Sequence, residues 1–147
     1  MRYVIKISVV ALLLGACGYS ENEINKFDTR IRGFNEKFNL GLKATGSGLY
    51  LHIDTLGKGR PIQINDSIWV SYTLKLLSGK VVDFQPNPIG LPVKNLIKGW
   101  QEAVYNLPIG SSLRCLIPPQ LGYGQAGKDK IGQDKILYFK MRVVEAK

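Results

Sequence analysis

The side chains that most often carry covalent or metal-dependent catalysis are scarce in this 147-residue sequence, which has one histidine and two cysteines. His52 falls in a predicted strand, and the sequence offers it no credible set of catalytic or metal-ligating neighbours. We therefore expect neither a Ser-His-Asp triad nor a zinc site, and we expect no cofactor. The candidates that remain are aromatic, apolar and acidic side chains.

Cys17 is the residue whose position indicates a covalent modification. A basic start and an apolar run precede it, which is the layout of a secretory signal peptide over residues 1–16. The stretch Leu14-Gly15-Ala16-Cys17 matches a bacterial lipobox, in which the cysteine is acylated and becomes the mature N-terminus. The apolar run is too short to span a bilayer. We expect a lipid anchor at Cys17 in the bacterial cell envelope, at the periplasmic face or the outer membrane. An ordinary cleavable signal is the alternative.

Cys115 would then be the only remaining thiol. It lies in Leu113-Arg114-Cys115-Leu116-Ile117, where alternation places residues 113, 115 and 117 on one face of a strand. We expect Cys115 to be a small buried core residue rather than a reactive thiol.

The formal net charge is +9 at pH 7. The basic residues are scattered, so we interpret them as a solvated surface and expect no nucleic-acid partner. Attraction to anionic lipid or to another polyanion is the alternative.

The segment after Cys17 predicts an amphipathic helix. Its apolar residues recur every three or four positions, the spacing of a helical stripe. We favour docking of this stripe on the chain's own domain, and a homodimer through the 21–39 helix is the alternative. Thr45-Gly46-Ser47-Gly48 is predicted to be a flexible joint. The stripe consists of Ile24, Phe27, Ile31, Phe34 and Phe38.

The rest of the chain predicts an α+β fold, an antiparallel sheet with one helix packed across it. The helix is predicted within Val93 to Leu107, from one apolar face, and Ser78-Gly79 indicates a tight hairpin. The predicted strands are Leu49 to Thr55, Ser67 to Leu77, Val81 to Phe84, Leu113 to Ile117 and Ile136 to Val144.

Three blocks in order carry a family resemblance. They read YTLKLLSGKVVD from Tyr72, NLIKGWQEAV from Asn95, and IPPQLGYG from Ile117. Together they resemble the FKBP family of prolyl isomerases. The resemblance implies a curved antiparallel sheet of about five strands wrapped around one short helix. The domains expected are a signal peptide (1–16), an anchor, tether and helix (17–46), and an FKBP-like domain (47–147).

The resemblance also implies an apolar pocket that binds proline-containing polypeptides of exported proteins. Trp100 would be its floor, and the hydroxyl of Tyr123 would meet the carbonyl of the peptide. Three residues are expected to be catalytic: Tyr72, Asp83 and Tyr123. Six are expected to bind substrate: Val82, Leu96, Ile97, Trp100, Ile131 and Phe139.

The sequence departs from the family pattern at the edge of this pocket. Val82 stands where a Phe is usual, Asn87 falls near a second edge Phe, and no Arg is present to pair with Asp83. Phe84 is a candidate to replace a missing ring. We expect a peptidyl-prolyl isomerase of reduced activity. The alternative is an FKBP-fold binding module with weak or vestigial activity that holds an envelope partner protein.

Overall fold

A six-stranded antiparallel sheet organises residues 18–147, the part of the chain that the computed structural model describes. The sheet order is β1-β2-β5-β6-β3-β4, and every pairing is antiparallel. The α+β prediction is confirmed, with one strand more than expected, because β1 is too short to leave a hydrophobic pattern. The strands are β1 (Lys43–Ala44), β2 (Tyr50–Thr55), β3 (Ser67–Leu76), β4 (Val81–Pro92), β5 (Ser112–Ile117) and β6 (Leu137–Ala146).

The central strands bury both of their faces, and each face packs against a different helix. On β5, Leu113, Cys115 and Ile117 point into the main core, whereas Leu116 points into a smaller cluster on the opposite face. Cys115 is fully buried, which confirms its predicted place in the core. Burial also raises the pKa of its thiol, so it is protonated and inert at neutral pH.

Helix α1 (Glu21–Lys37) covers the smaller cluster. Ser20 begins it with a capping box, in which its hydroxyl accepts from the Glu23 N–H while the Glu23 carboxylate accepts from the Ser20 N–H. Ile31 is fully buried, and Phe34 packs beside it against Leu116 and neighbouring residues. The prediction that this stripe docks on the chain's own domain is confirmed for its centre. A homodimer through the helix stays a prediction.

Helix α2 (Lys98–Val104) packs on the other face of the sheet and is shorter than predicted. A 3-10 helix covers Val93–Asn95, and Leu96 and Ile97 are extended. The Gln101 side-chain amide closes this break by donating to the Leu96 carbonyl. The helical spacing of apolar residues therefore extends over a segment that the structure divides into a 3-10 helix, two extended residues and α2.

Gly99 allows α2 to lie close against β5. A Cβ added at this position would sit 2.5 Å from Cγ2 of Ile117, well inside van der Waals contact. Since Gly99 precedes Trp100, this close approach fixes the depth at which the indole ring sits beneath the sheet.

Strand β4 is three times as long as predicted, running from Val81 to Pro92. Val70 of β3 pairs with Ile89 and Tyr72 pairs with Gln85, so three residues of β4 bulge opposite Ser71. Two of the three, Pro86 and Pro88, have no N–H to donate, which suits a bulge on an edge strand. The predicted strand ended at Phe84 because sequence alone does not reveal that pairing resumes beyond the prolines.

The predicted flexible joint at 45–48 is instead fixed by hydrogen bonds. The hydroxyls of Thr45 and Ser47 donate to the carboxylate of Glu102 on α2, at 2.6 and 2.7 Å. Strand β1, just before the joint, already pairs with β2, so the sheet begins ahead of residue 47.

Residues 1–16 and Cys17, the predicted signal peptide and lipidation site, lie outside the described residues. Within residues 18–147, no helix is both long enough and apolar enough to cross a membrane.

Candidate functional site

One cavity of about 520 Å³ opens between α2, β3, β4 and the loop that follows β5. Its volume lies in the range of small-molecule and peptide-side-chain sites. All nine site residues predicted from the sequence line it, although they come from five separate segments of the chain. They are Tyr72, Val82, Asp83, Leu96, Ile97, Trp100, Tyr123, Ile131 and Phe139.

Three aromatic rings form the base of the cavity. The ring centroid of Trp100 lies 5.1 Å from that of Tyr72 and 5.1 Å from that of Phe139. The centroids of Tyr72 and Phe139 are 6.0 Å apart. All three pairs meet edge to face, the arrangement that aromatic quadrupoles favour. Trp100 and Phe139 are buried, and their rings make the base of the cavity largely apolar.

A β-bulge brings two consecutive residues of β4 to the cavity. Leu74 pairs with Asp83 and Lys75 pairs with Val81, which leaves Val82 as the extra residue of the bulge. Val82 and Asp83 therefore both line the cavity, where regular alternation would have sent them to opposite faces.

Asp83 is held by a tyrosine rather than by an arginine. The Tyr72 hydroxyl donates to Oδ2 of Asp83 at 2.7 Å. Burial, the hydrogen bond to Asp83 and the charge of that carboxylate together raise the pKa of Tyr72. Its hydroxyl is therefore protonated at neutral pH and orients the carboxylate at the cavity wall.

Tyr123 stands across the cavity, just after the 3-10 helix Pro119–Leu121. Burial raises the pKa of Tyr123, and the nearby charges of Asp83 and Asp129 raise it further. Its hydroxyl is thus a neutral hydrogen-bond donor or acceptor at physiological pH. The Nζ of Lys128 lies 5.7 Å from its ring centroid.

The edge of the cavity differs from one expectation. Phe84 was a candidate to replace a missing ring, and this prediction is wrong. The bulge at Val82 turns Phe84 away from the cavity to a shallow groove on the other face of the sheet, where the residue is 58% exposed. Asn87 belongs to the later bulge of β4 and is not a lining residue.

Seven further residues line the cavity and were not predicted as site residues. Leu74 lies two residues after Tyr72 and so on the same face of β3, a signal that alternation could have provided. The loop residues carried no such signal, because that loop has no regular periodicity. The seven are Leu74, Leu91, Pro92, Asn95, Lys128, Asp129 and Lys130.

Comparison with known sequences identifies relatives of this chain. Residues 58–144 match the family model described as FKBP-type peptidyl-prolyl cis-trans isomerase. The isomerase Mip of Coxiella burnetii is 34% identical over 111 residues, which cover 73% of this chain and 48% of that protein. FkpA of Escherichia coli is 30% identical over 131 residues, covering 87% and 47%. The chain thus spans about half the length of the curated relatives it matches.

Solved structures resemble this fold as well. The crystal structure of Escherichia coli FkpA superposes with a TM-score of 0.74 at 28% identity, covering 86% of this chain and 62% of that one. A peptidyl-prolyl cis-trans isomerase from Pseudomonas syringae gives 0.74 at 27% identity, covering 90% and 98%.

Proposed function

The chain belongs to the FKBP-type peptidyl-prolyl cis-trans isomerase family, and on that premise we propose that it accelerates rotation about X-Pro bonds bound in the aromatic cavity. The observation that carries the proposal is the convergence of nine residues from five segments on one cavity with Trp100 at its base. The substrates proposed are proline-containing segments of exported proteins that are still folding.

The cavity suits this reaction because the reaction needs no bond to be made or broken. Rotation about the X-Pro bond is slow because it interrupts amide resonance, at a barrier of roughly 18–20 kcal/mol. The twisted amide has less charge separation than the planar one. An apolar aromatic surface therefore stabilises the twisted form more than the planar form, and it is this difference that accelerates rotation.

The polar groups of the cavity would orient the peptide. Tyr123, whose raised pKa keeps it protonated, is placed to donate a hydrogen bond to a carbonyl of the bound peptide. Tyr72 is already committed to Asp83, so that pair acts as a fixed polar wall. We assign catalytic contacts to Tyr123 and Asp83, and a positioning role to Tyr72.

The test is isomerisation of a short X-Pro peptide by the purified protein and three variants. Asp83→Ala and Tyr123→Phe alter the cavity wall and are expected to lower kcat/KM by roughly tenfold, the effect of losing one hydrogen bond to a charged or buried group. Phe84→Ala is the matched control from the same strand, since its ring faces away from the cavity. Its rate should equal that of the unaltered protein.

A second function is favoured by the edge of the cavity, where Val82 supplies no ring and Phe84 points away. A shallower apolar site excludes water less well, so the fold would then hold a partner protein in the envelope with little catalysis. Folded protein that binds prolyl peptides but does not accelerate their isomerisation would establish this alternative.

We also propose that the protein is anchored in the bacterial cell envelope through acylated Cys17. Only Gly18, Tyr19 and Ser20 separate this cysteine from α1, so the domain would lie close to the lipid surface. Mass spectrometry of the N-terminal peptide from the native host should show the diacylglyceryl mass on Cys17. An unmodified peptide beginning at another residue would contradict the anchor.

A further inference from the structure

Four exposed lysines lie in two segments that contribute residues to the cavity lining. Lys94 lies in the 3-10 helix next to the lining residue Asn95, and Lys98 begins α2 directly after Ile97. Lys128 and Lys130, in the loop after β5, themselves line the cavity. We call these four residues the lysine rim.

The lysines of the rim are not engaged in ion pairs. Within residues 18–147, none of the four lysines forms a salt bridge. Lys128 and Lys130 share the cavity lining with two carboxylates, those of Asp83 and Asp129. Lys94 and Lys98, next to lining residues, give the four lysines an excess of two charges over these carboxylates. Asp83 already accepts the Tyr72 hydroxyl in the wall.

The position of the charges relative to the rings matters more than their number. Lys128 is exposed, and its Nζ lies 5.7 Å from the centroid of the half-buried Tyr123 ring, which places its charge where the cavity meets solvent. If a proline ring were seated on Trp100, the residues next to it in the peptide would leave the cavity near these lysines. Charges at the mouth of a low-dielectric cleft act on a ligand more strongly than charges on an open surface.

We infer that the lysine rim selects prolyl segments that carry Asp or Glu beside the proline. This rests on the proposed function, because it assumes that the cavity binds prolyl peptides. The aromatic base recognises the proline itself and is indifferent to the charge of its neighbours. The rim therefore supplies the discrimination, through charge that an acidic neighbour satisfies and a basic neighbour does not.

The experiment compares blocked tetrapeptides that differ in one residue. In one series the residue before proline is Glu, Gln or Lys, and in the other the residue after proline varies in the same way. In at least one series, kcat/KM for Glu should exceed that for Gln by about fivefold at low salt, the upper range for exposed ion pairs. The ratio should fall toward one near 0.5 M salt, where the Debye length is only a few ångströms.

Two double variants test whether the lysines of the rim cause this preference. In Lys128→Gln/Lys130→Gln the Glu-to-Gln ratio should fall by at least half. Lys43→Gln/Lys58→Gln removes the same charge from exposed positions that do not line the cavity, and its ratio should match that of the unaltered protein. Each ratio is taken within one variant, so a general change in rate does not affect it.

Failure of this inference can be told apart from failure of the proposed function. If the Gln peptides are accelerated but the Glu peptides gain no advantage in either series, or if both double variants lower the ratio equally, the rim does not select. If no peptide is accelerated, the proposed isomerase function fails. Dissociation constants of the same peptides, measured by calorimetry, then show whether the lysine rim favours acidic neighbours of proline. Equal constants for Glu and Gln peptides would then overturn it.

Discussion

Each face of the sheet carries a hydrogen bond between a tyrosine and an aspartate, and the two bonds have different roles. On the cavity face, the Tyr72 hydroxyl donates to Asp83 at 2.7 Å. On the opposite face, the Tyr50 hydroxyl donates to Asp28 of α1 at 2.8 Å. In both places burial and a neighbouring carboxylate raise the pKa of the tyrosine.

What differs is the way each pair is covered. Tyr50 is buried under α1, within a closed cluster that includes Ile31 and Leu116. Tyr72 stays half-buried, because its ring borders an open cavity of about 520 Å³. The enclosed Tyr50–Asp28 bond therefore holds α1 on the sheet, whereas the Tyr72–Asp83 bond forms part of the wall of an open cavity.

The largest expected effect breaks the enclosed face alone. Ile31→Ala removes a fully buried side chain beneath α1 and should lower the free energy of unfolding by about 2–5 kcal/mol, from lost burial and the cavity it leaves. Peptide isomerisation per folded molecule should be unchanged, since Ile31 belongs to the cluster on the other face. Urea denaturation and the peptide assay measure the two quantities.

Ile24→Ala is the matched control for this experiment. Ile24 belongs to the same helical stripe but is 37% exposed, so the substitution should change stability by less than about 0.5 kcal/mol. If Ile31→Ala lowered turnover at temperatures well below the melting transition, the enclosed face and the cavity face would be coupled rather than independent.

The next effect sharpens the open face. Val82→Phe adds a ring at the cavity edge, where the bulge already directs this side chain inward. The added apolar contact should tighten binding of a prolyl peptide by about fivefold, since roughly 1 kcal/mol follows from a few tens of Å² of extra burial. Tryptophan fluorescence titration measures the dissociation constant.

The neighbouring position provides the control for the added ring. Val81 is exposed and does not line the cavity, so Val81→Phe should leave the dissociation constant unchanged. Equal tightening by both substitutions would show a nonspecific apolar effect rather than a rebuilt cavity edge.

Alternation and family spacing were sufficient to predict most of the sheet and the nine lining residues. Cys115 and its neighbours on β5 followed the period of two, so their burial could be read directly from the sequence. The centre of the α1 stripe likewise followed the helical period, which is why its docking on the domain was predictable.

The errors fall where a local irregularity interrupts a period. The bulge at Val82 reverses the faces of the residues after it, so Phe84 could not be placed from sequence. Leu96 and Ile97 are extended, so α2 begins only at Lys98, yet both side chains still line the cavity as their apolar spacing predicted. The partner of Asp83 was missed because Tyr72 lies on another strand, in a register that depends on the same bulge.

The smallest expected effect is the dependence of stability on pH that Tyr50 contributes. Burial and the hydrogen bond to Asp28 raise the pKa of Tyr50 to about 12, from an ordinary value of about 10. The folded state therefore holds this proton more tightly than the unfolded state. The stabilisation is complete below about pH 10 and is lost progressively as the pH rises toward 12.

Tyr50→Phe removes both the hydrogen bond and the titrating group. At pH 8 it should be less stable than the unaltered protein by about 1 kcal/mol, the usual contribution of one hydrogen bond. That difference should shrink as the pH approaches 12, because the unaltered protein loses the same interaction when Tyr50 ionises. Tyr72→Phe should instead lower peptide turnover at neutral pH, whereas Tyr50→Phe should not. A constant stability difference across this pH range would mean that ionisation of Tyr50 does not weaken the docking of α1.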